Sequence, residues 1–391
     1  MTVYYVLIIL LLLFAYLMHG ERKGNYKYIW IAFALMFCVY GLRDAYTIGG
    51  DSASSYLHQF ERMDNTERED LPTLKDWSSF ADQEDTDDEA GHERNIGIPW
   101  LMKLVYDWTE GDYQWFVSVV AAFVMICVAH FVRRYSPSPV QSVLYYFGLM
   151  FFTFNISALK QSIAMAIVLL SFDAITDRKP IRFLLTIWIA SLFHFPALVV
   201  LPAYWIGNMK LGRTYLFFLV VLFAVTYVLR DQLVEWMTDN YSTEIIEDSG
   251  MRFLANKVLV MLVIVVAAVV IRPPSVEDKL YNSLLMLVGV AAVIQTFASY
   301  NNTFERLADY YFQFAVVFIP MVFEDVKLKR RHLSERELML VRRVGPYLFC
   351  AFGIWRFLNY VSGADILNPY QFYFQAEKAE ETLSAFLHFM S

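Results

Sequence analysis

The sequence predicts an all-α integral membrane protein, a polytopic bundle of about 12 transmembrane helices that forms one membrane domain over residues 1–391. Three observations support this fold class. Hydrophobic residues make up 58% of the chain and aromatic residues 17%, more apolar surface than one water-soluble core can bury. Apolar runs of about 15 to 20 residues, the length that crosses a bilayer as a helix, recur throughout. Lysine and arginine concentrate in alternate loops.

The apolar runs define the expected spans. The two runs on either side of His194 are short for a full crossing, so broken or partly embedded helices fit them as well. By length, the spans are expected near 2–18, 28–42, 114–132, 139–154, 158–175, 183–193, 195–207, 214–229, 257–271, 280–298, 310–324 and 345–361.

Positive charge predicts the orientation, because loops rich in lysine and arginine stay on the cytoplasmic side. The dense basic loop 325–343 and several shorter basic loops are therefore expected to be cytoplasmic. The alternate segments are acidic or poor in basic residues, so they and both termini are expected to be external. These external segments are the loop 43–113, the second loop 230–256, the turn 299–309 and the tail 362–391.

The first external loop contains two distinct parts. The stretch "DQEDTDDEAGHER" is strongly acidic, but it lacks the glycine and terminal glutamate of a calcium-binding loop, so a solvated insert is expected there. The next stretch is too short and polar to cross. Its apolar residues have helical spacing, which predicts a short external amphipathic helix along the membrane interface, anchored by Trp100, Trp108 and Trp115.

Composition argues against several function classes. The cysteines Cys38, Cys127 and Cys350 lie inside predicted spans, and the sequence has no CxxC or Cys/His cluster, so we expect no disulfide and no structural metal. No Gly-rich phosphate loop supports nucleotide-driven transport. The net charge of −7 gives no indication of nucleic-acid binding.

The candidate site is a convergence of ionisable residues at the external ends of the spans. Such residues are costly in lipid, so they tend to line a protein or water cavity. In "YGLRDAYTIGGDSASSYLHQF", Gly49 and Gly50 are expected to let the backbone approach a bulky polar ligand. The converging residues are Arg43, Asp44, Asp51, Glu93, Arg94, Lys160, His194, Glu305, Arg306 and Asp309.

Each candidate also has a plain structural interpretation. Arg43 fits a snorkelling boundary residue, Asp51 a turn residue and His194 a hydrogen-bonded core histidine. Arg306 fits an ion pair on its own helix, where Glu305 and Asp309 share a face. A structural role explains Lys160 less well, because a lysine that begins a helix on the external side opposes both the helix dipole and the charge bias. The aromatic tail fits either sugar stacking or an interfacial belt.

These residues carry a resemblance to a known family. The stretch "GLRDAYTIGGDSASSY" resembles the Arg…Gly-x-Asp…Tyr signature that follows the second helix in the EpsG-like family of exopolysaccharide polymerases, the Wzy-type enzymes. Two departures from the family pattern are the long acidic insert between Asp64 and Glu93, and Lys160, which stands where the family usually has arginine. The later stretches that fit the family in order are "ERNIGIPWLMKL", "ALKQSIAMAI", "SLFHFPALVVLPAYW", "ERLADYY" and "NPYQFYF".

The resemblance implies a membrane glycosyltransferase in the bacterial cytoplasmic (inner) membrane that joins lipid-linked oligosaccharide repeat units at the external face. The growing glycan would pass from one polyprenyl pyrophosphate carrier to the sugar on another. The partners implied are this lipid-linked substrate, the bilayer and other polysaccharide-assembly membrane proteins. No cofactor is expected, because the leaving group is already activated and cationic side chains can replace a metal ion.

The same resemblance implies roles for the candidate residues. A sugar hydroxyl needs a base, and a pyrophosphate needs cations. The base candidates are Asp51, His194 and Glu305, and the expected binding residues are Arg43, Lys160, Gln161, Arg306, Asp309 and Tyr310. The alternative is a transporter or flippase of lipid-linked glycans, but the sequence lacks the internal repeat typical of transporters.

Overall fold

The computed structural model describes residues 2–18, 22–78, 95–209, 220–229, 231–232, 235, 252–272, 278–298, 302–324 and 334–375. Regular structure in these ranges is helical apart from one isolated antiparallel bridge between Arg43 and Phe372, which confirms the all-α class. Some sequence predictions lie outside the described residues. They concern the acidic insert 82–89 with Glu93 and Arg94, most of the loop 230–256, residues 325–333 of the basic loop and residues 376–391 of the tail.

The helices follow the apolar pattern of the sequence. The first eleven are α1 (Thr2–Leu17), α2 (Arg22–Gly41), α3 (Ser55–Glu61), α4 (Leu74–Ser78), α5 (Gly97–Thr109), α6 (Tyr113–Tyr135), α7 (Pro139–Gly148), α8 (Phe151–Ser157), α9 (Leu159–Thr176), α10 (Pro180–Phe193) and α11 (Ala203–Gly207). The others are α12 (Val220–Leu229), α13 (Arg252–Ile271), α14 (Lys279–Ile294), α15 (Asn302–Phe312), α16 (Ala315–Glu324) and α17 (Glu335–Gly363).

The number of membrane spans was only partly predictable. Within the described ranges, three helices are long and apolar enough to cross a membrane: α6, α9 and the stretch Lys279–Phe297. The pair α15 and α16, bent by 45°, is a fourth candidate. Shorter apolar helices of 10–17 residues occupy other predicted spans, among them α1, α10 and α12. Length and composition therefore support three or four of the twelve expected crossings, while the all-helical bundle itself is clear.

The helices are interrupted within the predicted span 139–154 and between the two short predicted runs on either side of His194. Between α7 and α8, Met150 adopts a left-handed conformation with φ of 70°, which breaks the helix. After α10, His194 is extended and is followed by the 3₁₀ segment Phe195–Val200, so the broken-helix interpretation of this region is the one that the structure shows. An interrupted helix leaves backbone polar groups that protein or water must satisfy, so such breaks are found beside cavities.

The expected amphipathic external helix is α5, which buries Ile98, Met102 and Val105. Trp100 and Trp108 remain exposed on it, as an interfacial anchor requires. In the bundle, α6 packs against α2 and α9, and α9 packs against α10. Helices α7 and α17 cross closely at Gly148 and Gly353, where a Cβ built on Gly148 would lie 2.7 Å from the Gly353 Cα. This crossing fixes the position of α17 and of the side chains it carries.

Candidate functional site

A cavity of about 460 Å³ lies between α8, α13, α15, α17 and the loop that follows α2. Apolar residues of the broken α7–α8 segment form one part of its wall, among them Leu149, Phe151 and Phe154. The charged part contains three carboxylates and three cations: Asp51, Glu305, Asp309, Lys257, Arg306 and Arg356. Four of these six residues were candidates from the sequence, and they come from segments far apart in the chain.

Helix α15 supplies two of the carboxylates on one face, as their spacing predicts. Lys257 of α13 lies between them, with its Nζ 2.8 Å from Glu305 Oε1 and 2.7 Å from Asp309 Oδ1. These side chains are mostly buried, with exposed fractions of 11% for Lys257, 21% for Glu305 and 4% for Asp309. A buried lysine that pairs with two acids satisfies charges that would otherwise be costly to bury.

Arg306 and Asp51 form a looser pair. Arg306 Nη2 is 3.8 Å from Asp51 Oδ2, beyond hydrogen-bond distance, and the two side chains are 51% and 54% exposed. Gln161 of α9 donates from Nε2 to the Arg306 carbonyl at 2.7 Å. The backbone of α15 is therefore tied to α9, while the Arg306 guanidinium remains open to the cavity.

Arg356 and Tyr360 reach the cavity from α17, where they lie one helical turn apart. Arg356 is partly buried, and in the described part of the chain no carboxylate or hydrogen-bond acceptor pairs with its guanidinium. A cation that lies unpaired within a bundle is expensive, so it indicates a position kept for an anionic ligand.

Arg43 lies behind the cavity rather than in its lining. Its side chain is 0% exposed and donates to the carbonyls of Tyr40, Ile48 and Ile156 and to the Ser52 hydroxyl, the last at 2.7 Å. With these donors engaged inside the protein, Arg43 holds the loop that follows α2 against the end of α8.

The two glycines of this loop make close contacts with protein atoms, not with an open ligand space as the sequence suggested. Gly49 has φ of 128°, and a Cβ there would lie 3.0 Å from both Arg43 Nη2 and the Ile156 carbonyl oxygen. Gly50 has φ of 57°, and its Cβ would lie 3.1 Å from Ser157 Oγ. The glycines thus allow the loop to pack on α8 and place Asp51 at the cavity.

The tail motif completes the same structural unit. Asp44 N donates to the Gln371 carbonyl at 3.0 Å, Gly49 N donates to Ile366 O at 2.9 Å, and Tyr370 OH donates to Val39 O at 2.8 Å. These hydrogen bonds hold the motif "GLRDAYTIGG" against the motif "NPYQFYF", although the two lie more than 300 positions apart in the sequence. We call this contact between the loop and the tail the clamp. The Tyr370 ring packs edge-on against Tyr4.

His194 and Tyr310 pair with each other outside the cavity lining. His194 Nδ1 and Tyr310 OH are 2.8 Å apart, both residues are buried, and their rings stack. The contact joins the break after α10 to α15. Lys160 also lies outside the cavity lining, on the first turn of α9, where its backbone N–H faces the Tyr56 hydroxyl at 3.4 Å.

Sequence reasoning missed Lys257, Arg356 and Tyr360. Arg356 is the one basic residue within the predicted span 345–361, and an ionisable residue inside a span is a functional hypothesis by default. Lys257 begins the predicted span 257–271 and resembled a boundary residue. Only the packing of α13 against its neighbours reveals that it reaches the carboxylates of α15.

The chemistry available in the cavity is anion binding together with proton transfer. Arginine and lysine stabilise phosphate oxygens, and carboxylates accept protons from hydroxyl groups. Among the described residues, no group of three or more His, Cys, Asp or Glu side chains has an arrangement that could hold a metal ion.

Comparison with known protein families matches residues 26–372 to the model of the EpsG family. The match includes every charged residue of the cavity. Comparisons with curated proteins and with solved structures return no match.

Proposed function

The chain belongs to the EpsG family, and from this premise we propose that it is a polysaccharide polymerase that joins lipid-linked oligosaccharide repeat units and releases polyprenyl pyrophosphate. The observation that carries the proposal is the cavity. Its charged residues can hold a pyrophosphate and accept a proton, and its apolar wall at the broken α7–α8 segment suits the start of a lipid chain.

The binding of the leaving group falls to the cations that face the cavity. Arg306 and Arg356 present guanidinium groups, whose planar donors match two phosphate oxygens at once. Their positive charge would stabilise the pyrophosphate as its bond to the sugar breaks, which is the role that a metal ion takes in other phosphate chemistry. Lys160 and Arg43, also predicted from the sequence, lie outside the cavity lining, and Arg43 would contribute by holding the loop that carries Asp51.

The acceptor sugar supplies the nucleophile. Its hydroxyl oxygen attacks the anomeric carbon of the donor glycan, the bond from that carbon to pyrophosphate breaks, and the pyrophosphate keeps the electron pair. The hydroxyl proton passes to a carboxylate of the cavity, which contains Asp51, Glu305 and Asp309. His194 would act indirectly, through its contact with Tyr310.

The proposal includes a topology. We infer about twelve crossings by span length, with the cavity at the external face of the cytoplasmic membrane and with both termini outside. The residues of the cavity come from the ends of segments that the charge pattern assigns to one face, which supports this orientation. Cysteines placed at Gly24 and Ser334 should resist an impermeant thiol reagent that labels a cysteine at Ser79, and the opposite labelling would overturn the orientation.

Glycan length in producing cells tests the function. Cells without this chain should lose long polymer while single lipid-linked repeat units persist at the outer leaflet. The same phenotype is expected from Arg306→Gln, whereas Arg62→Gln, at an exposed arginine outside the cavity lining, should leave polymer intact. Accumulation of repeat units at the inner leaflet would instead indicate a flippase and would refute the proposal.

A further inference from the structure

The three carboxylates of the cavity differ in their partners. Glu305 and Asp309 share Lys257, at 2.8 and 2.7 Å, and the three side chains are mostly buried. Asp51 is 54% exposed. In the described part of the chain its closest cation, Arg306, is 3.8 Å away and its carboxylate accepts no hydrogen bond. The geometry therefore separates a closed ion triad, formed by Lys257, Glu305 and Asp309, from one open carboxylate.

Electrostatic repulsion between Glu305 and Asp309 explains why Lys257 lies between them. Glu305 and Asp309 lie four residues apart on α15, so their negative charges repel each other when both are ionised. A shared ammonium compensates both charges and fixes both side chains at once. The ammonium occupies an oxygen of each acid, so an acid held in this way must break a buried ion pair before it can contact a substrate hydroxyl.

From these contacts we propose that Lys257 is a positioning residue that keeps Glu305 and Asp309 in the closed ion triad, and that Asp51 is the carboxylate that takes the proton. The assignment of Asp51 rests on the proposed polymerase function. In that reaction the acceptor hydroxyl loses its proton to Asp51 as its oxygen bonds to the anomeric carbon, pyrophosphate leaves with the electron pair, and Asp51 later returns the proton to water.

The position of Arg306 is consistent with this assignment. Its guanidinium is the closest cation to Asp51 but does not hold it at hydrogen-bond distance. A pyrophosphate that binds Arg306 would draw the guanidinium toward phosphate oxygens, since a doubly charged ligand competes well with an exposed, distant carboxylate. Binding of the donor would thereby leave Asp51 free for the acceptor hydroxyl.

Variants that remove the charges of the closed ion triad distinguish a positioning role from a role in proton transfer. Lys257→Met leaves two buried carboxylates without their cation, so it should lower the unfolding temperature of the purified chain and its polymerisation rate. The triple variant Lys257→Met/Glu305→Gln/Asp309→Asn removes all three charges together, and Lys257→Arg keeps the cation. Both should restore the unfolding temperature and return polymerisation to within about tenfold of the wild type, because no reacting group has been removed.

Asp51→Asn should behave differently. It should fold like the wild type, keep KM, and lower kcat by about 100-fold to 10,000-fold, as the loss of a general base does. The substrate for these assays is the lipid-linked repeat units that accumulate in producing cells without this chain. A triple variant that folds but is as inactive as Asp51→Asn would overturn the proposal, because a carboxylate of α15 would then do the chemistry.

If the triple variant does not fold, Glu305→Gln alone decides, since it keeps the Lys257–Asp309 pair. Activity within about tenfold of the wild type supports the proposal, and a loss equal to that of Asp51→Asn refutes it. Failure of the proposed function would look different. A wild-type chain that makes no polymer refutes the polymerase, while the unfolding temperatures of Lys257→Met, Lys257→Arg and the triple variant still report on the closed ion triad.

Discussion

Arg43 and Arg306 carry the same charge at the same end of the bundle, yet their surroundings differ. Arg43 is completely buried and donates to carbonyls and a hydroxyl of its own protein. Arg306 is half-exposed in the cavity, and among the residues that the structure describes its nearest acid, Asp51, is 3.8 Å away. A buried guanidinium with satisfied donors stabilises the fold, whereas one that faces a cavity without a tight partner is available to a ligand.

The same difference distinguishes the two sides of the cavity. The loop after α2 is tied to α8 by the Arg43 side chain, which donates to the Ile156 carbonyl, and to the tail by backbone hydrogen bonds. These contacts position Asp51. On the other side, α13, α15 and α17 present charged side chains directly to the cavity. Changes to the contacts that hold the loop should therefore damage the fold, whereas changes to the open side chains that face the cavity, Asp51, Arg306 and Arg356, should damage activity.

The largest effect on stability is expected at Arg43. Arg43→Gln leaves several buried acceptors without their donor, so it should destabilise the chain by roughly 3 kcal/mol or more. Arg43→Lys should not rescue it, because an ammonium cannot reproduce the planar set of donors. The amount of chain in the membrane and its unfolding temperature in detergent measure this. A stable but inactive Arg43→Gln chain would show that Arg43 acts in the function of the site and not in the stability of the fold.

The largest effect on activity is expected at the arginines of the cavity. Arg306→Gln and Arg356→Gln should each lower the polymerisation rate by about 100-fold to 1,000-fold, because each removes charge stabilisation of the leaving group. The unfolding temperature should change little, since neither guanidinium has a tight partner in the described part of the chain. Arg62→Gln is the matched control. Wild-type rates in both cavity variants would show that the leaving group binds elsewhere.

A smaller effect on stability is expected at Gly49. Its φ of 128° and the atoms 3.0 Å from a built Cβ make Gly49→Ala strained, at a cost of about 1–3 kcal/mol. Gly363→Ala is the matched control, because a Cβ there meets no atom within 4 Å. The unfolding temperatures of the two variants compare them directly. Equal stabilities would mean that the loop is not held against α8 as described.

The smallest effect is expected at Asp107 on α5, which does not line the cavity. A hydrogen bond from Arg68, at 2.9 Å, and the ammonium of Lys103 hold the pKa of Asp107 below its ordinary value. The pair therefore stabilises the chain above the ordinary pKa of aspartate and loses this contribution as the pH falls through the lowered pKa.

Asp107→Asn should accordingly unfold at a slightly lower temperature than the wild type at neutral pH, and the difference should disappear in acid. High salt should reduce it, because exposed ion pairs are screened. Polymer length should not change. A shortened polymer would place α5 within the functional site.

The sequence predicts where the helices lie better than it predicts how many of them cross the membrane. The apolar runs locate α6, α9 and α14 well, but they do not reveal the break at Met150, because a left-handed methionine has no sequence signal. Within the candidate site, the spacing of Glu305 and Asp309 predicts a shared face correctly. Lys257 could not be assigned, since its role depends on how α13 packs against α14 and α16, which brings its side chain to the carboxylates of α15.

For Arg43 the sequence erred in the other direction, because it indicated a ligand-binding residue where the structure places a side chain outside the cavity lining. Its charge, its position after a span and the glycines nearby all suggested a ligand site, but sequence does not show which acceptors a guanidinium meets. Those acceptors include a carbonyl of α8, at Ile156, far along the chain. The clamp between the loop and the "NPYQFYF" tail is equally long-range, and neither periodicity nor spacing predicts it.

The central claim, that the open cavity polymerises lipid-linked repeat units, is tested most directly with the purified chain in lipid nanodiscs. Repeat units from producing cells without this chain are supplied, and the glycans formed are separated by size. The wild type should convert single units into a ladder of longer glycans and release polyprenyl pyrophosphate, while Arg306→Gln should leave single units. A wild type that forms no ladder, or an Arg306→Gln chain that forms the same ladder, would contradict the account.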